Sequence, residues 1–457
     1  MGASASELAK FEDEGPAVTE ERILRILKKI EGTNDVLVEE IMDKKGSEKG
    51  DGFMSDISDV KVEATVQGNT KEYQWMIKHT PRDPNRWVMS RLWFKADERE
   101  VKFFSDLLPR LKTFAESKNK SNLIPSFCPA PFAEWNEVDK VLVMQNLRPL
   151  GYRDAVNKKA GLNIDHVTLV IKWLAAFHAL GYAYVDQYIG GIEKMQTEEL
   201  EINFWKFWDI PNFEKLMAQF KDLNIQTQLG LMKQIDEMVG NNDTYYVGTY
   251  QKFLDKHGCL DTVAIDIRDS WDTSKFKIKT FNHGDPWFNN MLFKYNSKDE
   301  SSMVPIDVKL IDLQEVGYLP PTMDLTYFLF SSTTGEIRNN LSQLLRLYHD
   351  EFITIVNQLG SVLSYTYEEL VADFKESAFY GLHFALGPLA QVLAEKEDIL
   401  DMDDFSKKFG GRDMMSDEVK ADMQKEMDHL QQTMKKNINY QVRIRELIDE
   451  LVAMGVM

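Results

Sequence analysis

The chain has 457 residues, 43% of them hydrophobic and 28% charged, with a formal net charge of −19. That length is more than one compact core usually holds and predicts a globular protein of two domains or lobes. So negative a field argues against a general nucleic-acid binder, because it repels phosphate polymers, but it leaves room for a nucleotide site built on a few local cations.

The N-terminal 1–18 read as a flexible start. Met1-Gly2-Ala3-Ser4-Ala5-Ser6 fits both a loose N-myristoylation pattern and a plain run of small residues. No basic region followed by an apolar stretch opens the chain, and no run approaches the roughly 18 apolar residues of a membrane span. Two cysteines, Cys128 and Cys259, are too few for a disulfide framework and fit a reducing compartment, so a cytoplasmic location is expected.

Thr19-Glu20-Glu21 opens an amphipathic helix with Ile23, Leu24, Ile26, Leu27 and Ile30 at helical spacing. A polar stretch, 44–55, contains Gly50-Asp51-Gly52-Phe53-Met54-Ser55. Such a Gly-x-Gly-x-x-small loop suits both a phosphate cradle and an ordinary turn. Val60, Val62, Ala64 and Val66 alternate as in a strand, Gly68-Asn69 turns the chain, and 72–78 returns it. The first third therefore reads helix, loop, hairpin. Lys78 ends the second strand. A helix over 92–108, stopped near Pro109, carries Glu100. A strand over 138–144 leads to Gln145-Asn146-Leu147-Arg148-Pro149-Leu150-Gly151, where the lobe boundary is placed.

From about 163 the chain reads as mostly helical, beginning with a helix over 165–180. Residues 202–209, rich in Phe and Trp, suit either an apolar or cationic ligand pocket or helix packing. A two-strand region, 291–312, interrupts the helices. A charged amphipathic tail, about 416–453, is expected to fold back on the second lobe.

Asn282-His283-Gly284-Asp285-Pro286-Trp287-Phe288-Asn289-Asn290 precedes the first strand of that region, and Leu310-Ile311-Asp312-Leu313-Gln314 ends the second. A hairpin of this length returns Asp312 to the end that carries Asp285 and Asn290. Oxygen ligands of this kind suit magnesium, and phosphoryl transfer asks the protein chiefly for positioning and charge neutralisation. The competing Gly-x4-Gly-Lys-Ser/Thr loop, the His-Glu-x-x-His metal motif and the Gly-x-Ser-x-Gly elbow do not occur.

With these strings, with Pro321-Thr322-Met323-Asp324-Leu325 and with Leu174-Ala175-Ala176-Phe177-His178-Ala179, the chain resembles the ecdysteroid kinase-like family, a choline-kinase-like branch of small-molecule kinases, over about 20–440. The resemblance implies an α+β, two-lobed protein-kinase-like fold. Its small β-rich N-lobe (19–146) would bind ATP, and its larger, mainly helical C-lobe (147–457) would carry the catalytic loop and substrate pocket. It implies transfer of the γ-phosphate of ATP to a hydroxyl of an ecdysteroid or similar molecule. A choline- or aminoglycoside-type kinase and a catalytically silent ligand binder are the alternatives.

Carried over to this sequence, the resemblance implies that Lys78 contacts the ATP phosphates and Glu100 orients it. Asp285 is the catalytic base or hydroxyl-orienting group, and Asn290 and Asp312 hold Mg2+. Gly50, Gly52 and Ser55 line the phosphates, and Gln145 and Leu147 meet the adenine. Asp324 anchors the catalytic loop, and His283 and Trp287 shape it. The hinge departs from the family's frequent Glu-Asp, reading Gln145-Asn146, which leaves backbone contacts to adenine intact. The expected partner is a small hydroxyl substrate, with no nucleic acid, and a monomer is expected.

Overall fold

The computed structural model describes residues 18–46, 55–81, 96–135, 139–155, 157–188, 191–195, 213–240, 244–257, 273–297, 299, 302–395, 408–409, 412 and 416–457. Residues 1–17, expected from the sequence to be a flexible start, together with Gly50, Gly52, the aromatic segment 202–209 and Cys259, lie outside them.

Helix α1 (Glu20–Glu31) begins where the Thr19 side chain accepts from the Arg22 N–H at 3.2 Å and ends at Gly32 with φ of 65°. It buries Ile23, Ile26 and Leu27. These pack on one face of a five-stranded antiparallel sheet: β1 (Val36–Lys45), β2 (Asp56–Val66), β3 (Asn69–His79), β4 (Phe132–Trp135) and β5 (Lys140–Gln145), in the order β1-β2-β3-β5-β4. Because side chains alternate along a strand, Val60, Val62, Trp75, Ile77, Val141 and Val143 share the α1 face. Met76 and Lys78, in register with Met144 and Leu142, share the opposite one.

Two sequence expectations need correction here. The stretch before the glycine loop is a strand, β1, paired to β2 from Val36↔Val66 to Lys45↔Ser58. As an edge strand with no fully buried residue, it lacks the alternation that marks a half-buried strand. Nor does Pro109 stop a helix. Helix α2 (Ala96–Lys102) passes through a single π turn, Phe103–Leu107, into α3 (Leu108–Ser117), and Pro109, directly after the π turn, sits in the first turn of α3 without ending the helix.

After β5 the chain crosses at Asn146–Gly151 into a mainly helical region. Its centre is α4 (Ile164–Asp186), capped by Asn163 and buried along most of its length. This helix is long and apolar enough to span a membrane by composition alone, contrary to the expectation of no such run, but two-thirds of its most apolar window is buried in the core. Short strands β6 (Tyr152–Arg153), β8 (Met291–Tyr295) and β9 (Pro305–Leu310) form one small sheet, and β7 (Thr280–Asn282) pairs with β10 (Gly317–Leu319). Helices α5 (Phe213–Met238), α6 (Tyr245–His257), α7 (Thr322–Ser332), α8 (Leu341–Gln358) and α9 (Tyr367–Leu393) complete the region.

The tail is two helices, α10 (Asp417–Lys436) and α11 (Ile438–Ala453), and it does fold back. Tyr440, Ile444, Leu447, Ile448 and Leu451 are buried in the same core as α4. Arg338 adds a two-pronged grip on Glu450, with Nε–Oε2 at 2.6 Å and Nη2–Oε1 at 3.0 Å.

Candidate active site

The string 282–290 forms a tight turn between β7 and β8. Gly284 has φ of 84°, and a Cβ there would lie 2.0 Å from the Glu315 carbonyl oxygen, so only glycine fits. Asp324, buried near the start of α7, accepts from two consecutive backbone N–H groups of the turn, His283 at 2.6 Å and Gly284 at 2.9 Å. Its Oδ2 also lies 3.1 Å from His178 Nε2, and His178 Nδ1 lies 2.8 Å from the Tyr348 hydroxyl. This chain runs from the core helix to the loop and holds the loop's backbone fixed.

His283 is buried, and burial lowers its pKa despite the nearby carboxylates of Asp324 and Asp312. Its Nδ1 accepts from the Asp285 N–H at 3.3 Å, which leaves Nε2–H to donate to the Ile311 carbonyl at 3.0 Å. One neutral imidazole therefore ties the turn to the strand end that bears Asp312. Ile311 N–H donates to the Asn290 carbonyl at 2.9 Å, closing the hairpin as the sequence spacing predicts.

Asp285 is gripped at both oxygens: Oδ1 accepts from the Tyr327 hydroxyl at 2.5 Å and Oδ2 from Asn290 Nδ2 at 2.8 Å. Since the Asn290 amide nitrogen faces that carboxylate and also the Asp285 carbonyl at 2.9 Å, its Oδ1 points the other way. Asp312 has φ of 65°, a left-handed conformation that costs an aspartate about 1–3 kcal/mol and turns its carboxylate toward the cleft.

Across the cleft, Lys78 Nζ lies 2.5 Å from Asp312 Oδ1 and 2.8 Å from Glu100 Oε2. Burial opposes its charge, but Asp312 and then Glu100 outweigh burial, and its pKa rises. Burial likewise opposes the Glu100 charge, and the lysines Lys140 and Lys78 overcome it, taking the carboxyl down to about 2. Asp312 goes the other way: burial raises its pKa, and Lys78 only partly offsets this.

These groups open on one cavity. Its polar end holds Lys78, Glu100, Asp285, Asn290, Asp312 and Gln314. Its other end is an apolar slot of Ile57, Met76, Met144, Leu147, Leu292 and Ile311, closed by the hinge. The structure thus brings together Lys78, Glu100, Asp285, Asn290, Asp312, Gln145 and Leu147 of the residues singled out in the sequence. It does not bring Ser55 there. That side chain is buried behind the cavity, with its hydroxyl 3.3 Å from Asp97 Oδ1 and 3.2 Å from Lys140 Nζ.

Sequence reasoning missed four residues. Gly46 lines the cavity where β1 enters the glycine loop, and a Cβ there would meet Met76 at 2.8 Å. Asn146 fastens the hinge, with Nδ2 donating to Asp59 at 3.0 Å and Oδ1 accepting from the Arg148 N–H at 3.0 Å. Tyr327 could be found only from its one-turn spacing after Asp324. Lys140 could be found from its phase, since 140, 142 and 144 fall on the face opposite Val141 and Val143.

The family model described as the ecdysteroid kinase-like family matches residues 49–361. The chain belongs to that family. Among curated proteins, none matches it in sequence. Solved structures give distant likenesses. One is a protein described as a fructosamine-3-kinase from Haemophilus somnus 129PT, at 12% identity and a TM-score of 0.31, with 89% of this chain and 96% of that one covered. A GDP complex of a mutant aminoglycoside 2′-phosphotransferase IIIa follows at 12% and 0.36, covering 90% and 97%. An ethanolamine kinase from Plasmodium vivax stands at 11% and 0.38, covering 89% and 93%. The family match, not these likenesses, carries the assignment. The protein is a small-molecule kinase, a phosphotransferase with a hydroxyl acceptor and a two-lobed kinase-like fold, and family membership implies use of ATP.

Proposed function

We propose that the chain transfers the γ-phosphate of ATP, with Mg2+, to a hydroxyl of an ecdysteroid or similar polyhydroxylated apolar molecule in the cytoplasm. The observation that carries this reading is Lys78, held between Glu100 and Asp312, facing Asp285 and Asn290 across one cavity. The apolar slot takes the adenine, against the backbone of Gln145 and Leu147. The Leu147 N–H donates to no described residue and is available to a ring nitrogen. Lys78 binds the phosphates.

Asn290 Oδ1 and the Asp312 carboxylate fit Mg2+, a hard cation commonly held by one or two carboxylates with phosphate and water oxygens. Among the described residues no group of three or more His, Cys, Asp or Glu side chains could hold a metal, which suits an ion that arrives with the nucleotide. When bound, the ion supplies charge neutralisation on the phosphates.

Asp285 orients the acceptor hydroxyl. Hydrogen bonds from the Tyr327 hydroxyl and from Asn290 Nδ2 fix its carboxylate, which suits it to aligning the acceptor hydroxyl and receiving its proton. Support for an apolar acceptor comes from the family description and from the half-buried ring of Phe384, 5.1 Å from that of Tyr327, whose hydroxyl donates to Asp285.

The test is incubation with MgATP and separate acceptors (an ecdysteroid, choline, ethanolamine, an aminoglycoside), read by mass gain of one phosphate. Gain on the ecdysteroid alone supports the reading. Gain on a cationic acceptor replaces its substrate, and tight ligand binding with no gain on any acceptor replaces the kinase by a binder.

A further inference from the structure

Glu100 is shared. Lys140 Nζ lies 2.8 Å from Glu100 Oε2, the same oxygen that Lys78 reaches at 2.8 Å from the other side. Lys140 is fully buried and does not line the cavity, whereas Lys78 and Glu100 do. Its ammonium also meets Asp97 Oδ1 at 2.7 Å and Ser55 Oγ at 3.2 Å. Its backbone N–H donates to Thr80 Oγ1 at 2.9 Å, and Thr80 Oγ1 in turn donates to Asp97 Oδ2 at 3.3 Å. From the first residue of β5, one lysine thus reaches three other places around the polar end of the cavity: the residue before β2, the residue after β3 and helix α2. Asp97 and Glu100 stand three apart on α2, which puts both carboxylates on the face that Lys140 meets.

We propose that Lys140 is a positioning residue for phosphate binding, which holds Glu100 from behind and through it sets the place and the free charge of Lys78. The inference rests on the assignment of Lys78 to the phosphates made above. Two physical effects support it. A carboxylate pulled from both sides cannot swing, so α2 is pinned in the arrangement that keeps Lys78 in the cleft. With Lys140 neutralising part of the Glu100 charge, Lys78 is less consumed by that partner and more of its field reaches the cavity. A purely structural ion pair would contribute to folding without reaching the ligand.

The experiment compares MgATP and adenosine binding by calorimetry in the parent, Lys140→Met, Lys140→Arg, Glu100→Gln and the Glu100→Gln/Lys140→Met double variant. Adenosine uses the apolar slot and hinge but not Lys78. Lys140→Met is expected to weaken MgATP by roughly tenfold or more while adenosine affinity stays within about twofold, with partial recovery in Lys140→Arg. Adding Lys140→Met to Glu100→Gln is expected to change MgATP affinity by less than about twofold, because its route to Lys78 is already cut. The double variant removes both buried charges together, so this arm stands even if Lys140→Met alone does not fold. Equal weakening of both ligands, or a further loss of about fivefold or more in the double variant, overturns the proposal. A parent that binds adenosine but not MgATP overturns the phosphate assignment as well, and that failure is read in the parent alone.

Discussion

The turn side of the cleft is assembled from one turn and the hairpin that follows it, whereas the lysine side joins separate elements, with Glu100 and Lys140 standing 40 positions apart. Asp285 and Asn290 share one turn, and Asp312 returns on a hairpin whose backbone bond from Ile311 to Asn290 closes it. Lys78, Glu100 and Lys140 come instead from a strand, a helix and a neighbouring strand; the β3–β5 pairing sets the two lysines near each other, and ion pairs tie both to Glu100 on α2. The first half is held by backbone geometry and by hydrogen bonds donated to the carboxylates of Asp324 and Asp285. The second is held chiefly by ion pairs between buried charges, with Ser55 and Thr80 adding hydrogen bonds to Lys140. The two halves should therefore fail differently. Damage to the turn should stop chemistry in a folded protein, and damage to the ion pairs should also loosen the fold.

The largest effect is expected in the turn. Asp285→Ala should lower kcat by about 10²–10⁴-fold or more, with the melting temperature little changed, measured by steady-state turnover and calorimetry. An equal loss of stability would erase the distinction between the halves. Next comes Glu100→Ala, which leaves Lys78 and Lys140 buried beside a vacated site. It should cost about 3–5 kcal/mol of stability in denaturant unfolding as well as MgATP affinity.

Acidity probes the same difference. Glu100 is held down to about 2 by Lys140 and Lys78 against the opposing effect of burial. A carboxyl lowered in the folded state contributes its full stability above its ordinary value of 4.5 and loses it as pH falls from there toward about 2. The parent should lose stability across that window more steeply than Glu100→Gln does, as read from melting temperature against pH. The smallest effect is expected at Tyr327→Phe, which removes one bond to Asp285. A fall in kcat of about tenfold is expected, with unchanged MgATP affinity, since the bond to a charged acceptor is worth about 1.5–3 kcal/mol in all.

The same contrast explains what could be read from the residues. The turn and hairpin were legible because contiguous residues determine them: glycine at a left-handed position, Asn290 five positions from Asp285, and two strands of matched length. The fold's halves were legible from periodicity, α1 and the β2–β3 pair most clearly. Strand β1 was not, because an exposed edge carries no alternation, and Pro109 misled because the first turn of α3 tolerates it. Lys78 and Glu100 were legible as a lysine ending a strand and a glutamate on the next helix, and the family resemblance gave them their roles. For Lys140 the strand's phase gives the face, opposite Val141 and Val143, but nothing local to a lysine at a strand start says that two carboxylates and a hydroxyl lie above it.

The most direct test of the central claim is a mass measurement of an ecdysteroid acceptor after incubation with MgATP, run side by side with the parent and Asp285→Asn. The account predicts a gain of one phosphate with the parent and none with the variant, both proteins being folded and binding MgATP equally. An equal gain from both would contradict it.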